Sequence, residues 1–280
     1  MKKIILSIFV AVSASGIYAQ TNFDKIENFG DYKADWARVV VGKCYGFIDS
    51  KGNEIVPAIY DEINQVGEFK HDWAKVKKNG KYGFITNKGE EIVQPVYDFI
   101  GSFGEYKDIW ALVKSNGKFG FINNNGEEIV QPRYDFIGAF GEYKATWALI
   151  KANGKFGFIG SNGEEVVQPQ YDFIGAFGEY KTNWALIKSK DKYGFINSNG
   201  EEIVQPVYDF IDAFGEYKAD WALIKINGKF GFINSNGEEI VKPVYDEIEP
   251  FGEFKDNWAK VKFKGKEGFI NENGEFIQQD

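Results

Sequence analysis

Seven tryptophans stand at Trp36, Trp73, Trp110, Trp147, Trp184, Trp221 and Trp258, and every interval between them is 37 residues. A glycine keeps the same step at Gly46, Gly83, Gly120, Gly157, Gly194, Gly231 and Gly268. Equal steps without an insertion define a tandem array in which one supersecondary unit is written again and again. Taking an aromatic–Asp dipeptide as the start of each unit divides the chain at Phe23-Asp24, Tyr60-Asp61, Tyr97-Asp98, Tyr134-Asp135, Tyr171-Asp172, Tyr208-Asp209 and Tyr245-Asp246. The units are then 23–59, 60–96, 97–133, 134–170, 171–207, 208–244 and 245–280, which leaves no room among them for a separate catalytic domain.

The fourth unit shows the internal pattern. Trp147-Ala-Leu-Ile-Lys151 alternates in the manner of a half-buried strand, and Asn153-Gly154 is a hairpin turn signal. Lys155-Phe-Gly-Phe-Ile159 returns, Gly160-Ser-Asn-Gly163 turns again, and Glu165-Val-Val167 is a third strand that Pro169 is expected to end. Tyr171-Asp-Phe-Ile174 adds a fourth short extended piece at the head of the next unit, and Phe177-Gly-Glu-Tyr180-Lys181 loops back to Trp184. No stretch of the repeats carries a helical apolar period. Alternation points Ala148 and Ile150 one way and Trp147 and Leu149 the other; across the hairpin Gly157 and Ile159 share one face, and Phe156 and Phe158 share the opposite one. The small Gly157 calls for a close backbone approach or an aromatic ring lying over it. A unit of 37 residues cannot bury such faces alone, so neighbours must stack.

The predicted fold is all-β, a tandem array of seven antiparallel β-meander repeats. Two arrangements suit it, an open β-solenoid or superhelix and, as the alternative, a closed seven-bladed β-propeller. The repeats differ by position. After the aromatic–Asp pair the middle units carry Phe99, Phe136, Phe173 and Phe210, while the outer units carry Lys25, Glu62 and Glu247. Two residues after each Trp the middle units carry Leu112, Leu149, Leu186 and Leu223, and the outer ones Arg38, Lys75 and Lys260. A closed ring makes every blade equivalent, whereas polar ends are the expected capping device of an open array, and this favours the open form.

The pattern Lys81-Tyr82-Gly83-Phe84-Ile85, Glu91-Ile92-Val93, Pro95, Tyr97-Asp98-Phe99-Ile100, Phe103-Gly104 and Ala111-Leu112-Val113 resembles the WG-repeat family of bacterial proteins. The resemblance runs over all of 23–280. The tryptophan that gives that family its name is replaced before the glycine by Tyr45, Tyr82, Phe119, Phe156, Tyr193 and Phe230, and by Glu267 in the last unit. The resemblance implies a structural or interaction repeat without a defined catalytic activity.

Ahead of the repeats, Met1-Lys2-Lys3 is a basic head, followed by an apolar run from Ile4 to Val12, small residues, and Ile17-Tyr18-Ala19 before Gln20. This is the build of a cleaved signal peptide over 1–19, and the apolar run is too short for a comfortable membrane span. The mature repeats are therefore expected in the periplasm, at the cell surface or outside the cell, without stable membrane insertion. The lone Cys44 cannot close an intrachain disulfide, so packing alone must stabilise them. It reads as a solvent-facing replacement for the lysine of later units, with pairing to another chain left open. Aromatic residues make up 17% of the chain, with 32 glycines and only seven prolines, which suits short strands and tight turns. The net charge of −8 argues against a nucleic-acid partner.

No catalytic constellation is present. The sole histidine, His71, lies in a loop with no counterpart in other units, and neither a nucleophile elbow nor a phosphate loop occurs. The Asp and Glu residues that every unit repeats point to structure rather than to a glycosidase pair. Asn123-Asn-Asn-Gly-Glu-Glu128 and Asn197-Ser-Asn-Gly-Glu-Glu202 are oxygen-rich, but a calcium loop opens on Asp and spaces its ligands more widely, and a hairpin turn explains the Asn-Gly without a metal. No enzyme activity, cofactor or metal is expected. Asp98 and its equivalents should accept turn or backbone hydrogen bonds. Two placements are open for Phe99, Phe136, Phe173 and Phe210 with Leu112, Leu149, Leu186 and Leu223. Facing outward they form an apolar binding stripe for a protein or, by stacking, a glycan. Facing the neighbour they are inter-repeat core, and the charged outer units favour this second placement. The expected function is an exported protein-interaction scaffold, with glycan or peptidoglycan binding as the alternative. The partner itself is unknown.

Overall fold

Asn153 and Gly154 have φ of 51° and 79°. Two successive positive angles make the type I′ turn whose twist suits its flanking strands, here Trp147–Ala152 and Lys155–Gly160. The same pair of angles recurs at Asn79-Gly80, Asn116-Gly117 and Asn227-Gly228, and Lys190-Asp191 adopts it without a glycine. The turn fixes the register: Trp147 lies opposite Gly160, Ala148 opposite Ile159, Leu149 opposite Phe158 and Ile150 opposite Gly157. The two faces are therefore those the alternation predicts. Phe136–Ile137 pairs along one edge of this hairpin and Glu165–Tyr171 along the other, giving a four-stranded antiparallel sheet in sequence order.

The chain builds seven such sheets in tandem, none closed into a barrel, and the computed structural model describes residues 22–277. The expected signal peptide at 1–19 lies outside the described residues. The sheets occupy 25–60, 62–97, 99–134, 136–171, 173–208, 210–245 and 247–277, and no helix occurs among the described residues. The all-β repeat array expected from the periodicity is what forms.

The repeated glycine has a specific cause. Between the pairs Phe156–Tyr171 and Phe158–Val167, the single residue Gly157 faces Gln168, Pro169 and Gln170, so the last strand bulges across it. A Cβ on Gly157 would lie 2.3 Å from the Val167 carbonyl oxygen and 2.7 Å from the Pro169 nitrogen. Gly46, Gly83, Gly120, Gly194 and Gly231 meet the same backbone, whereas at Gly268 the Phe276 ring lies over the glycine and would be 2.6 Å from an added Cβ. Both explanations that the sequence left open are thus used. The bulge also corrects the expected end of the third hairpin strand. Pro169 does not stop it, because a bulged residue needs no ladder N–H, and the strand runs on to Tyr171.

A second correction concerns the short fourth piece. The chain turns at Asp172, whose N–H donates to the Lys188 carbonyl at 2.7 Å. Tyr171 therefore ends one sheet, and Phe173–Ile174 opens the next.

The described residues divide into two compact units, up to Arg133 and from Tyr134 onward, and each shows the same packing. In the first, Trp36, Phe47, Val56 and Tyr60 of one sheet cluster with Ile63, Ala74, Val76 and Ile85 of the next. In the second, Trp147, Phe158, Val167 and Tyr171 cluster with Ile174, Ala185, Ile187 and Ile196. Within each unit the aromatic face of a sheet lies on the aliphatic face of its successor. Trp147 and Phe158 meet at 5.3 Å between ring centroids in a tilted arrangement, which suits their quadrupoles. Six of the seven tryptophans are buried, and Trp258 is half-buried.

Polar ties run in the same direction. Tyr60, Tyr97, Tyr134 and Tyr171 donate their hydroxyls to Glu91, Glu128, Glu165 and Glu202 of the following sheet, at 2.6–3.1 Å. Burial first, and then the glutamate charge, push the phenols of Tyr60 and Tyr171 up to about 12. Lys33, Lys70, Lys144, Lys181 and Lys218 lie over the tryptophan three residues on, at 4.0–4.5 Å. Each also donates to a turn carbonyl of the next sheet, that of Asn87, Asn124, Ser198, Ser235 or Glu272.

Gly157→Ala is expected to destabilise the chain by roughly 3 kcal/mol or more, because the new methyl meets backbone rather than a movable side chain. Gly175→Ala, where a Cβ would be 3.4 Å from the Phe173 ring, should change stability by less than about 1 kcal/mol. Urea unfolding of both variants checks this, and equal effects would contradict the close-approach account.

Candidate functional site

Each two-residue opening strand has one residue on either side of its sheet. In Phe173–Ile174, Ile174 enters the inter-sheet cluster and Phe173 is left at the surface. Phe99, Phe136, Phe173 and Phe210 are 46%, 46%, 47% and 43% exposed. The inter-repeat core placement that the charged outer units favoured is therefore corrected for these rings. Lys25, Glu62 and Glu247 replace an exposed ring, not a stacking surface, so charge there reflects position on an edge rather than the covering of an end face. The leucines differ. Leu112 and Leu149 are half-buried, and Leu186 and Leu223 are buried within the clusters beneath the fifth–sixth and sixth–seventh junctions. The eight residues thus make four exposed rings with leucines set below them.

Between the fifth and sixth sheets these residues line a groove of about 660 Å³. Phe173, Tyr180, Leu186, Tyr193, Phe210 and Ile211 form its walls, and Asp172, Glu179, Lys188 and Asp209 its polar border. Beside the groove, the Gly175 N–H donates to the Leu186 carbonyl at 2.8 Å, and a Cβ on Gly175 would lie 3.5 Å from a Glu179 carboxylate oxygen. Burial first, then the charges of Glu179 and Asp212, push the Tyr180 phenol up. A smaller hollow of about 360 Å³ is lined in part by Lys192, Glu202 and Gln170, which are already bonded to Asp209 and Tyr171.

The repeated aspartates act as clamps. Asp172 accepts the Lys155 ammonium of the preceding sheet on one oxygen and the Lys190 N–H of its own hairpin turn on the other, the latter at 2.8 Å. Asp98 joins Lys81 to Asn116 in the same way, and Asp209 joins Lys192 to Asn227. The turn role expected of Asp98 is observed, with a lysine added. Cys44 is half-buried at the position where Lys81, Lys155, Lys192 and Lys229 stand. His71 is exposed, with Nδ1 2.8 Å from the Asp72 carboxylate. In the oxygen-rich turns, the Asn123 and Asn197 side-chain oxygens accept the N–H groups of Asn125 and Glu127 and of Asn199 and Glu201. Their oxygens serve the turn itself.

Tyr180, Tyr193, Glu179 and Asp209 escape a reading of the sequence that follows one strand at a time. Tyr180 sits in a loop, and Tyr193 pairs with Tyr208 on the far side of the hairpin from Phe173. One signal does point to them: the repeats that lose the exposed Phe lose the Leu as well, in favour of a cation at 38, 75 and 260.

Residues 45–82, 82–119, 119–156, 156–193, 193–230 and 230–266 match the pattern described as the WG containing repeat. No curated protein matches the chain. Among solved structures, BamB from Moraxella catarrhalis is similar at 11% identity and a TM-score of 0.25, over 87% of this chain and 80% of that one. AztD from Citrobacter koseri is similar at 11% identity and 0.25, over 91% and 84%. Hsv2 from Kluyveromyces lactis is similar at 8% identity and 0.23, over 85% and 89%. Likeness at this level says nothing of what the chain binds. No helix among the described residues is long and apolar enough to cross a membrane.

The lysine ammonium, then backbone N–H donors, hold the carboxyls of Asp172 and Asp209 below the usual range; the lysine leads likewise at Asp98 and Asp246. With folded values below the unfolded one of about 3.9, the folded chain binds fewer protons there, so the stabilisation is present above about pH 4 and is lost as pH falls through the folded values. The unfolding midpoint should hold steady from pH 7 to pH 5 and drop below about pH 4. Asp172→Asn should flatten that drop, and an unchanged slope would remove Asp172 from the account.

Proposed function

The chain belongs to the WG containing repeat family, and we propose that it is an exported, non-catalytic scaffold whose row of exposed phenylalanines contacts a partner macromolecule. The observation that carries this reading is the equal, near-half exposure of Phe99, Phe136, Phe173 and Phe210 at one position of four successive repeats. An exposed aromatic costs solubility and contributes nothing to a core, so its return at one position of successive repeats, Phe136, Phe173 and Phe210 in the second unit and Phe99 in the first, marks a contact surface. Export is supported by the composition of residues 1–19. The absence of catalysis is supported by the exposed, loop-borne His71 and by carboxylates engaged in the clamps.

A protein partner is favoured over a glycan by the lining of the groove beside the rings, where Leu186 and Ile211 offer apolar wall rather than hydroxyl-pairing groups. The test uses the mature chain, 20–280, beside a variant with all four phenylalanines changed to Glu. Since the rings are half-exposed, the variant should keep its circular dichroism spectrum and lose the polypeptide that the mature chain captures from a cell-envelope extract. Equal capture by the two proteins, or unfolding of the variant, would end the claim for these rings. Release of the captured polypeptide by soluble peptidoglycan fragments would move the assignment to the glycan.

A further inference from the structure

Three repeats before the groove, the corresponding place holds a cation that belongs to the chain itself. Lys75 stands where Leu186 stands in the fifth repeat. Its ammonium lies 4.6 Å from the Phe69 ring, 4.6 Å from the Tyr82 ring and 6.0 Å from the Phe99 ring. It donates to the Ile100 carbonyl at 2.9 Å; burial lowers its pKa, and the charges of Glu62 and Glu68 oppose that shift in part. The residues at those positions around Leu186 are Tyr180, Tyr193, Phe210, Ile211, Glu179 and, in place of Glu62, Phe173, and all six line the groove. Leucine brings no charge to this cage of rings, carbonyl and carboxylate.

The other outer repeats place a cation at the same position. The Arg38 guanidinium lies 4.9 Å from the Tyr45 ring and pairs with Glu27 at 2.7 Å, and Lys260 pairs with Glu267 at 2.9 Å. Lys188 does not fill this role in the fifth repeat. It corresponds to Lys77: Lys77 lies 5.1 Å from the Tyr82 ring alongside Lys75, and Lys188 lies 5.5 Å from the Tyr193 ring with its ammonium paired to Asp191 at 2.9 Å, which leaves the position of Lys75 to the partner. Ring faces attract ammonium and guanidinium groups, most strongly when these are partly desolvated, and Glu179 adds a carboxylate to a border where Asp172 and Asp209 already hold Lys155 and Lys192. The chain's net charge of −8 draws basic segments toward it.

We propose that the groove between the fifth and sixth sheets binds a lysine or arginine side chain of a partner polypeptide, seating its cation as the second repeat seats Lys75. The proposal rests on the reading that the phenylalanine row is a contact surface, and adds to it the chemistry of the partner.

The test is calorimetric titration of the mature chain with hexalysine, and with fully acetylated hexalysine as the uncharged counterpart. Hexalysine should bind and the acetylated form should not. Leu186→Lys, which installs the cation found in the second repeat, should weaken hexalysine binding about three- to tenfold. Leu186→Met should leave it unchanged. In the opposite direction, Lys75→Leu should strengthen binding or add a site, while Lys88→Leu, the same charge change on an exposed turn, should not. The Lys75 variant carries the test independently if Leu186→Lys fails to fold. Equal binding by wild type and Leu186→Lys, or equal effects of Lys75→Leu and Lys88→Leu, would reduce the interaction to bulk charge and overturn the proposal. If hexalysine does not bind while the phenylalanine variant still loses its captured polypeptide, the cation assignment fails and the contact surface stands.

Discussion

The packing of unlike faces holds the rest in place. Each sheet has a Trp–Phe face and an Ala–Ile face, and the first cannot be buried against its own copy without stacking bulk on bulk. Set on the smaller side chains of its successor, as Trp184 and Phe195 are on Ala222, Ile224 and Ile233, it reaches close packing. This requires the hairpin register to be right to the residue, since a slip by one would send Trp and Ala to exchanged sides. The paired positive angles at Asn153-Gly154 and its equivalents set that register. The glycine under the bulge, in turn, lets the last strand cross the face without lifting Tyr171 away from the cluster.

Because the two faces differ, the order of sheets has a direction, and the polar ties follow it. Tyrosine hydroxyls, loop lysines and strand lysines all reach from one sheet to its successor. The aspartate that receives the strand lysine also holds its own hairpin turn, so one carboxylate links tertiary packing to local geometry. The exposed phenylalanine follows immediately after that aspartate in the chain. Its position on the surface is therefore as fixed as the clamp beside it, and this gives the contact surface rigidity that a loop of the same composition would lack.

Much of this was legible in the sequence because it depends on short-range rules. Period two in Trp147–Lys151, Asn-Gly at the turns and an unbroken step of 37 suffice for the sheets and their two faces. The extension past Pro169 was not legible, since a proline that ends an ordinary strand is tolerated where a bulge needs no donor. The exposure of Phe173 was not legible either. A two-residue strand offers too little alternation to say which residue turns inward, and the charged outer repeats suggested the wrong side. The groove was hidden for a different reason: Tyr180, Tyr193 and Phe210 come from three separate segments and meet only once two sheets are stacked.

The loop-lysine ties also bear on the order in which the chain can acquire its structure. The Lys70 and Lys144 contacts reach 54 residues along the chain, and the tyrosine–glutamate contacts reach 31. A sheet within either unit thus completes these contacts once little more than one further repeat is available. A chain that emerges gradually with its amino end first can lay each sheet on the last as it appears, without waiting for a distant segment. Partly emerged chains expose only one unfinished aromatic face at a time, which limits the sticky surface offered to other chains on the way.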